Sequence, residues 1–434
     1  MSRPVPHSSS LRGQFFFLLV SLLLTGCASS LCGVSDGPSS PLPDPLRLAD
    51  GTPVRSDSVW QHQRRPELRA AFRTHVYGSL PPAPPQERVV VHAVDRAARD
   101  GRATRMQVTV HFSDASDGPR MDALLYVPND RPGPVPAFVG LNFAGNHTVA
   151  PDSALRLPRG WVPNRPDVPS HNHRPTPEGR GALSHRWPVD SLLAHGYALI
   201  TAYAGDFFPD HPDGLQNSVY QLSKPSSSSS GGAISAWAWG LHRLRHLATR
   251  TPAIDSSRVI VMGHSRLAKA ALWASATDSR FAAVVDNASG LGGSALFRRR
   301  CGQQLSGMDN AQPHWLPDPV GRYHDRPSAL PVDQHALLAL SAPRPLLINA
   351  MTKDRSADPV GMFLGAKHAS PVWRLLGTEG LATDTLPPPG RPVLSRVGFR
   401  LRQGEHSIGP SDWSTFLRFA DRHVKQTEDA VARR

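Results

Sequence analysis

Ser265 lies where its hydroxyl could act as a nucleophile. It is the centre of the stretch Gly-His-Ser-Arg-Leu at residues 263–267, between an apolar run at residues 259–262 and a helix-forming run that begins at Ala268. A serine on a sharp turn between a strand and a helix is typical of the Gly-x-Ser-x-Gly nucleophile elbow. Leu267 stands where that motif has its second glycine, so a tight turn that only happens to carry a hydroxyl is the alternative interpretation.

Two residues further along the chain could complete such a site. A serine nucleophile needs a base, and the base needs a carboxylate that orients it. Asp354 follows the apolar run of residues 345–349, and His406 follows the last apolar run. The resulting order, serine then acid then histidine, is that of known hydrolases with this elbow. Asp358 competes with Asp354, although capping a helix that begins at Pro359 is its simpler interpretation.

The hydrophobic pattern predicts the elements that position these residues. Three β-type runs come first and are predicted to be antiparallel: residues 89–94, 106–112 and 123–127. From residue 135 onward, strands alternate with helical segments, which favours crossover units and a parallel sheet. The predicted strands of this part are residues 137–142, 198–202, 259–262, 282–286, 345–349 and 397–401. Helices are predicted at residues 65–77 and 232–249 and from Asp412, as N-cap, to Val424.

The N-terminal residues predict export. Arg3 and Arg12 precede an apolar run at residues 15–26 that is short for a membrane span, which predicts a signal peptide at residues 1–26. The ending Leu-Thr-Gly-Cys27 resembles the bacterial lipobox. It predicts lipidation of Cys27, secretion across the inner membrane of a bacterium, and a periplasmic or outer-membrane lipoprotein. An ordinary secretory signal with a chance cysteine is the alternative.

The cysteines and the segment after the signal peptide bound the domain. Residues 27–42 are rich in Ser, Gly and Pro and are predicted to be a flexible tether, followed by a single domain at residues 43–428. Besides Cys27, the chain contains only Cys32 and Cys301, which is not a disulfide framework. A Cys32–Cys301 bridge is one option, but Cys32 lies in the tether and we do not predict the bridge.

Composition argues against several other classes of protein. The formal net charge is +13, and nearly all of the positive charge comes from scattered arginines. No helix-turn-helix, zinc-finger or aromatic RNA-binding signature accompanies them, so nucleic acid is not a predicted partner. His171 and His173 have no third ligand at a recognisable spacing, so no metal is predicted. Serine-based chemistry needs no cofactor, and a monomer is the default expectation.

Several segments together resemble the glucuronoyl esterases of carbohydrate esterase family 15, particularly its bacterial members. Residues 263–273, Gly-His-Ser-Arg-Leu-Ala-Lys-Ala-Ala-Leu-Trp, are similar to the family's Gly-x-Ser-Arg-x-Gly-Lys signature, whose later second glycine accounts for Leu267. The other similar segments are residues 140–148, 184–187, 232–240, 287–293, 313–315, 333–335, 357–359 and 404–406. The resemblance implies an α/β-hydrolase: a three-layer sandwich with a central, mostly parallel sheet and an antiparallel N-terminal edge.

The resemblance also implies catalytic roles. Ser265 would attack the carbonyl of a uronic acid ester, and His406 would take its proton and later protonate the departing alcohol. The family carries its triad acid at either of two positions. At the first, this chain has Ala288, which cannot serve, and Asp354 fits the second.

Further site residues follow from the same resemblance. Arg266 would stabilise the oxyanion, and Lys269 and Trp315 would hold the hydroxyls of the sugar. Two residues depart from the family pattern: Ala268 replaces a glycine, and Gln303 stands where bacterial relatives usually carry a glutamate that grips a sugar hydroxyl. A glutamine still accepts a hydrogen bond but lacks the charge that strengthens it. We therefore expect a change in affinity or in sugar preference.

These observations predict a serine carboxylesterase that works through an acyl-enzyme. Its expected substrates are the 4-O-methyl-glucuronoyl esters that link glucuronoxylan to lignin alcohols. The alternatives are another carbohydrate esterase, such as an acetyl xylan esterase, and a catalytically silent carbohydrate-binding lipoprotein on the same fold. The sequence leaves open the natural alcohol and the choice between glucuronate and galacturonate.

Overall fold

Nine strands form one central sheet in the computed structural model, which describes residue 33 and residues 37–222 and 231–425. The sheet order is β1-β2-β3-β7-β4-β8-β9-β10-β11, and β5 and β6 form a separate hairpin. The strands are β1 Arg88–Ala98, β2 Ala103–His111, β3 Arg120–Pro128, β4 Val135–Asn142, β5 Ser170–His171, β6 Arg174–Pro175, β7 Ala198–Tyr203, β8 Ile254–His264, β9 Ala283–Asn287, β10 Leu346–Met351 and β11 Val397–Arg402.

The sheet is antiparallel at its N-terminal edge and parallel beyond it. The pairs β1–β2, β2–β3 and β3–β7 are antiparallel, whereas every neighbouring pair from β7 to β11 is parallel. All nine predicted strands are therefore confirmed, together with their predicted directions. The short hairpin of β5 and β6 was not predicted, because strands of two residues carry no readable periodicity.

Helices cover both faces of the sheet. They are α1 Asp57–Val59, α2 Arg65–Phe72, α3 Val189–Ala194, α4 Ala233–Thr249, α5 Arg266–Thr277, α6 Leu305–Ala311, α7 Gln334–Ala339, α8 Pro359–Leu375 and α9 Pro410–Ala420. π-helical turns at Trp60–Arg64 and Arg73–Tyr77 continue α1 and α2. Among the described residues, no helix is long and apolar enough to cross a membrane. The predicted signal peptide and Cys27 lie outside the described residues.

The start of the last helix differs from the prediction. The N-cap of α9 is Gly409 rather than Asp412, and Pro410 opens the first turn. Proline is favoured there because its missing N–H would have had no helical partner. Asp412 lies two residues further on, and its Oδ2 accepts a hydrogen bond from the N–H of Gly409 at 3.0 Å. The aspartate thus closes the helix start from inside the first turn, and its assignment as the N-cap was wrong.

Alternate residues of the parallel strands enter two separate cores, which makes the fold a three-layer sandwich. Val139, Val261 and Ile348 face the core that contains α4, α5, α7 and α8. Their chain neighbours Phe138, Ile260 and Leu347 face the core that contains α3 and α9. Strands with apolar side chains on both faces are the pattern expected for a parallel sheet covered on both sides. The predicted α/β-hydrolase class is confirmed.

The strand order brings the ends of several strands to one place. β4 lies between β7 and β8, so the chain leaves β4 toward one side and later returns to its other side. The carboxyl ends of strands beside such a reversal border a crevice, which is where open α/β sheets bind their ligands. The segments that follow β4, β7, β8, β10 and β11 therefore converge there.

Cys301 takes part in a disulfide, and its partner cysteine lies outside the described residues. A Cys32–Cys301 bridge was considered but not predicted, because Cys32 lies in the Ser-, Gly- and Pro-rich tether and three cysteines are not a disulfide framework. Within the predicted tether, the N–H of Ser39 donates to the carbonyl oxygen of Arg298 at 2.8 Å, and the carbonyl oxygen of Gly33 accepts from Arg299 at 2.8 Å. These described parts of the tether segment contact the domain close to Cys301.

Candidate active site

Ser265 forms the turn between β8 and α5. Its φ of 58° and ψ of −131° lie in a region that residues with a side chain rarely adopt. The N–H of Ser265 donates to the carbonyl oxygen of Asn287 on β9 at 2.8 Å, while its hydroxyl makes no capping hydrogen bond to α5. The turn is therefore held by the backbone, and the hydroxyl is not used to hold it.

Close packing of strand and helix explains the residues on either side of the serine. A Cβ added to Gly263 would come within 2.2 Å of the carbonyl oxygen of Leu267, so only glycine fits at this position. Ala268 is fully buried, and its N–H donates to the carbonyl oxygen of Ser265 at 2.9 Å. The methyl group of Ala268 is accommodated without opening this first helical turn.

Asp354 and His406 meet at the carboxyl ends of the two last strands. Nδ1 of His406 lies 2.5 Å from Oδ2 of Asp354, and the Asp354 side chain is only 4% exposed, against 41% for His406. The other carboxylate oxygen accepts from the N–H of Ala357 at 3.3 Å. This arrangement leaves Nε2 as the free nitrogen of His406, which is the one a general base needs.

The ring of His406 lies beside the nucleophile turn. Its centroid is 4.7 Å from that of His264, the residue that precedes Ser265. Within the described part of the chain, no hydrogen bond joins Oγ of Ser265 to His406. Catalytic hydrogen bonds are often long before substrate binds and shorten in the complex. The structure thus brings the three predicted triad residues to one place and forms the acid–histidine half of the arrangement.

Asp358 has a different partner set from Asp354. It caps α8, where its Oδ1 accepts from the N–H of Gly361 at 3.0 Å, and it forms a buried ion pair with Arg299. Its φ of 53° turns the chain into the helix. The capping interpretation of Asp358 is what the structure shows, and the carboxylate that contacts His406 is that of Asp354.

One arginine makes several of the hydrogen bonds that hold the loop carrying His406. The guanidinium of Arg402 donates to the carbonyl oxygens of Gln403 at 2.8 Å and Glu405 at 3.1 Å and to Oγ of Ser407 at 2.8 Å. The same guanidinium lies 2.8 Å from the buried carboxylate of Asp412. Because the loop itself is exposed, these bonds take the place of the packing that would otherwise fix it.

Arg266 and Trp315 share one carboxylate, that of Asp210. Nε of Arg266 lies 2.6 Å from Oδ2 of Asp210, while Nε1 of Trp315 and Nε2 of His314 lie 2.9 Å and 2.8 Å from Oδ1. Burial acts to raise the pKa of Asp210, but the hydrogen bond from His314 and the charge of Arg266 lower it overall. The terminal nitrogens of Arg266 make no hydrogen bond to other described residues. The guanidinium also lies 4.7 Å from the centre of the Phe143 ring.

Lys269 is a buried amine in the first turns of α5. Its Nζ donates to the carbonyl oxygen of Leu291 at 2.7 Å and to that of Ser289, and it lies 5.8 Å from the centre of the Trp315 ring. Burial lowers the pKa of Lys269 to about 8, while the nearby carboxylates of Asp286 and Asp354 act in the opposite direction. The ammonium is therefore still charged at neutral pH but close to losing its proton.

Asp286 supports the loop that surrounds Lys269. Its carboxylate accepts from the N–H of Ser289 at 3.0 Å and from the Ser289 hydroxyl at 2.7 Å. Burial raises the pKa of Asp286 to about 6, although the hydrogen bonds from Ser294 and Ser289 and the charge of Lys269 oppose this rise. The carbonyl oxygens that hold Lys269 thus belong to a loop that is anchored below it.

Comparison with known proteins supports one family. The sequence model described as "Glucuronyl esterase, fungi" matches residues 188–377. The chain is 40% identical over 391 residues to "Carbohydrate esterase MZ0003" from an unknown prokaryotic organism, which covers 89% of this chain and 90% of that protein. A solved structure of a promiscuous CE15 esterase from a marine bacterial metagenome superposes with a TM-score of 0.84 at 38% identity, covering 90% of this chain and 99% of that one. The chain belongs to carbohydrate esterase family 15, the glucuronoyl esterases.

Two further relatives agree with this assignment. The glucuronoyl esterase from Solibacter usitatus superposes with a TM-score of 0.83 at 39% identity and covers 89% of this chain and 98% of that one. A 4-O-methyl-glucuronoyl methylesterase from Phanerochaete carnosa is 27% identical over 386 residues, covering 84% of this chain and 81% of that protein. The chain is accordingly a carboxylic ester hydrolase.

Gln303 and Ala288 lie at two positions that the family resemblance singled out. The N–H of Gln303 donates to the carbonyl oxygen of Ser356 at 3.0 Å, which ties it to the segment after Asp354. Its half-buried side chain makes no hydrogen bond to the described residues. Ala288 is buried with a φ of 57°, and its N–H donates to the carbonyl oxygen of Asn349 at 2.9 Å. A methyl at this place leaves the histidine with Asp354.

Sequence reasoning missed residues that hold the predicted ones. Asp210, Phe143 and His264 were given no role, although each follows or ends a strand at the active edge of the sheet. That position is the one signal that could have identified Asp210. Its partners His314 and Trp315 lie far along the chain, and no local pattern links them to it. His171 and His173 lie in or beside the β5–β6 hairpin, where His173 stacks on Trp161.

Proposed function

We propose that this esterase hydrolyses the ester between 4-O-methyl-glucuronic acid on xylan and a lignin alcohol. The observation that carries the proposal is the Asp354–His406 pair, 2.5 Å apart, beside the strained turn of Ser265. Relatives of this chain from Phanerochaete carnosa and Wolfiporia cocos are named 4-O-methyl-glucuronoyl methylesterases. This naming supports the uronate as the acyl part of the substrate.

In the first half of the reaction, Oγ of Ser265 attacks the ester carbonyl carbon, and Nε2 of His406 takes the hydroxyl proton. Asp354 accepts the Nδ1–H of His406 and stabilises the imidazolium. Collapse of the tetrahedral intermediate breaks the bond to the alcohol oxygen, which receives the proton from Nε2. The alcohol leaves, and the uronoyl group remains as an ester on Ser265.

In the second half, water replaces the alcohol. Nε2 of His406 takes one proton from the water, whose oxygen attacks the acyl carbon of the intermediate. The bond to Oγ then breaks, and the proton returns to Ser265. The uronic acid is released and gives its remaining proton to solvent as it ionises, and the enzyme regains its starting protonation state.

Arg266 is proposed to stabilise the oxyanion. Its backbone N–H lies at the start of α5, where helix N–H groups have no helical acceptor. Asp210 fixes the guanidinium through Nε, which leaves the two terminal nitrogens as donors for the developing charge. Donors fixed in advance stabilise such a charge without the cost of reorienting water.

Lys269, Trp315 and Gln303 are proposed to bind the sugar. Nζ of Lys269 has one hydrogen beyond its two carbonyl bonds, which suits a hydroxyl oxygen. The centre of the Trp315 ring lies 5.8 Å from Nζ of Lys269 and 5.9 Å from Cζ of Arg266. Gln303 would accept from a hydroxyl without a full charge. The three groups give the acyl pocket its preference for a polar ring.

Comparison of two esters tests the substrate. Turnover of benzyl glucuronate should exceed that of an acetylated sugar, and the Ser265→Ala variant should lose both activities. A preference for the acetyl ester would instead favour the acetyl xylan esterase alternative. Unchanged turnover of benzyl glucuronate by the variant would remove Ser265 from the mechanism.

We also propose that the esterase is an exported lipoprotein with a Cys32–Cys301 bridge. Disulfides persist mainly outside the reducing cytosol, so the disulfide at Cys301 supports export. If Cys27 carries the lipid, Cys32 is the one cysteine left to pair with Cys301. Mass spectrometry of unreduced peptides from the membrane fraction should find both the acylated Cys27 and the Cys32–Cys301 link. A Cys27–Cys301 peptide would contradict the lipid anchor.

The expected monomer is tested by light scattering of a form that begins after Cys27.

A further inference from the structure

His264 contacts the proposed base directly. Its ring centroid lies 4.7 Å from that of His406, with 33° between the ring planes, and 6.0 Å from that of Phe143 in an edge-on arrangement. His264 is only 7% exposed, whereas the side chain of His406 is 41% exposed. The buried ring therefore supplies a wall for a ring that otherwise faces solvent.

A chain of amide groups determines which nitrogen of His264 carries the proton. The chain starts at the Asp412 carboxylate, whose Oδ1 receives the guanidinium of Arg400 at 2.9 Å. Nδ2 of Asn349 lies 2.9 Å from the same oxygen and 2.5 Å from Oδ1 of Asn287. Because guanidinium and amide N–H groups can only donate, Oδ1 of Asp412 is an acceptor. The contact with Asp412 thus fixes the orientation of the Asn349 amide, and this in turn makes Oδ1 of Asn287 an acceptor.

The other end of Asn287 then has no choice of role. Its Nδ2 lies 2.7 Å from Nδ1 of His264 and 3.1 Å from the carbonyl oxygen of Ser407. An amide nitrogen has two hydrogens and no acceptor site, so both contacts are donations. Nδ1 of His264 also lies 3.3 Å from the backbone carbonyl oxygen of Asn287, which is the longer of its two contacts with that residue. The shorter contact, in which Nδ1 accepts from the amide, leaves Nδ1 unprotonated, and a neutral ring then carries its hydrogen on Nε2. The amide of Asn287 therefore fixes the tautomer of His264 and also bonds to the backbone of Ser407, the residue that follows His406.

The surroundings of His264 keep the ring neutral. The charged or titratable groups that act on it are His406, Arg186 and Arg266, all of which carry or gain positive charge. Burial, followed by the charges of His406 and Arg186, lowers the pKa of His264 well below its ordinary value. The carboxylate of Asp354 lies behind His406 and contacts its far nitrogen rather than His264. A neutral ring can pack against His406 even when that residue becomes an imidazolium during turnover.

We propose that His264 is a positioning residue: a neutral imidazole with its hydrogen on Nε2, held by Asn287, whose ring fixes the orientation of His406. The proposal rests on the proposed role of His406 as the base. Asn287 acts twice, because it holds the ring of His264 and the backbone of Ser407. Loss of either contact lets the exposed base turn away from Ser265, which lowers kcat and leaves the sugar contacts, and hence KM, in place.

The tautomer is measured without any catalysis. In protein labelled with ¹⁵N-histidine, the His264→Phe variant assigns the His264 signals, and the proposal predicts a bonded hydrogen on Nε2 and none on Nδ1 near pH 7. The Asn287→Asp variant replaces the donor with an acceptor, so the hydrogen should then appear on Nδ1. A hydrogen on Nδ1 in the wild-type protein, or an unchanged spectrum in Asn287→Asp, would overturn the proposal.

Two variants of His264 separate the effect of its ring on His406 from the effect of its hydrogen bond with Asn287. His264→Phe keeps a ring against His406 and loses the acceptor, whereas His264→Asn keeps an acceptor near the position of Nδ1 and loses the ring. We expect kcat on benzyl glucuronate to fall about tenfold in each, and about 100-fold in His264→Ala, with KM nearly unchanged. If His264→Phe and His264→Asn are no more active than His264→Ala, the ring and the hydrogen bond do not each contribute to the role of His264, and the proposal is contradicted.

His242→Phe is the matched control, because His242 is also 7% exposed and lies in α4, where its Nε2 contacts the carbonyl oxygen of Ala274 at 3.0 Å. This variant should lose stability without a selective loss of kcat. The downfield proton resonance of the His406–Asp354 bond gives a further readout, which should broaden in His264→Ala and stay sharp in His242→Phe. Equal broadening in both variants would reduce His264 to a packing role. A correct tautomer combined with full activity of Ser265→Ala would instead reject the proposed function and leave the inference about His264 Nε2 standing.

Discussion

The nucleophile and the base of this esterase are held by different means. Ser265 lies in a strained turn between a buried strand and a buried helix, and the closeness of the two backbones at Gly263 leaves the turn little freedom. His406 lies in an exposed loop and is held by side chains: Asp354 and the ring of His264 from distant parts of the chain, and Arg402 from the end of the preceding strand. Backbone packing thus places the nucleophile, whereas side-chain contacts place the base. The two halves should therefore fail in different ways when they are changed.

The largest expected effect separates the two aspartates after β10. Asp354→Asn should lower kcat by about 10⁴-fold, because an amide can present its N–H to His406 and favour the wrong tautomer. Steady-state kinetics on benzyl glucuronate measures the loss. The fold should survive, since the side-chain hydrogen bonds of Asp354 within the described part of the chain are those with His406 and the N–H of Ala357.

Asp358→Asn is the control for that variant. It should keep kcat but lower the free energy of unfolding by about 3 kcal/mol, because it breaks the buried ion pair with Arg299. Urea titration measures this loss. An inactive Asp358→Asn beside an active Asp354→Asn would reverse the assignment of the acid.

The next effect tests how far the hydrogen bonds of Arg402 hold the base in place. Arg402→Met removes the bonds to Gln403, Glu405 and Ser407, and kcat should fall by about 100-fold through misplacement of His406, with KM little changed. Arg396→Met is the matched control, since Arg396 is also partly buried and donates to a single carbonyl oxygen, that of Pro343, at 2.9 Å. A loss of equal size in both variants would show general destabilisation rather than a misplaced loop.

On the helix that follows the nucleophile, Lys269 should make KM depend on pH. Its pKa is lowered by burial to about 8, so the amine loses its charge as the pH rises through that value. KM for a neutral uronate ester should be constant below this pH and rise above it, because a charge-assisted hydrogen bond to the sugar is lost. In Lys269→Met, KM should be about tenfold higher at pH 7 and should not vary between pH 7 and 9. A pH-dependent rise in KM that persists in the variant would assign the titration to another group.

The smallest effect concerns Gln303. Gln303→Glu introduces the charge that the family resemblance leads us to expect at this position and should lower KM for the glucuronate ester about fivefold, which corresponds to about 1 kcal/mol. Gln304→Glu is its neighbour control, because the Gln304 amide bonds to the carbonyl oxygen of Gly302 instead. No difference between the two variants would mean that residue 303 does not touch the sugar.

The same contrast explains how far the sequence could be interpreted. The strands and the elbow are local features. The β-type runs of β1 and β3, the alternating residues of β2 and the run Val259–Met262 before Ser265 were therefore sufficient to predict them. Asp354 was favoured because Ala288 cannot serve as the acid. In the structure, the carboxylate of Asp354 contacts His406. These predictions depended on short stretches of chain or on a resemblance that covers the whole domain.

The supporting residues could not be predicted in this way. Asp210 meets Arg266 and Trp315 across gaps of 56 and 105 residues, and Asn287 meets Ser407 across 120. A buried amide or carboxylate has no periodic signature, because its role depends on partners that only the folded sheet brings near. The prediction that Asp412 is the N-cap of α9 was wrong for a related reason. The helix begins at Pro410, two residues before Asp412, and a polar residue alone does not show which turn position it occupies.

Reaction of Ser265 with a fluorophosphonate tests the central claim most directly, because it measures activation of the hydroxyl without any sugar contact. Mass spectrometry should locate the label on Ser265, and the labelling rate should fall by about 10³-fold or more in both His406→Ala and Asp354→Asn. Labelling of Ser265 at an equal rate in the wild-type protein and both variants, or labelling of another serine, would contradict the account.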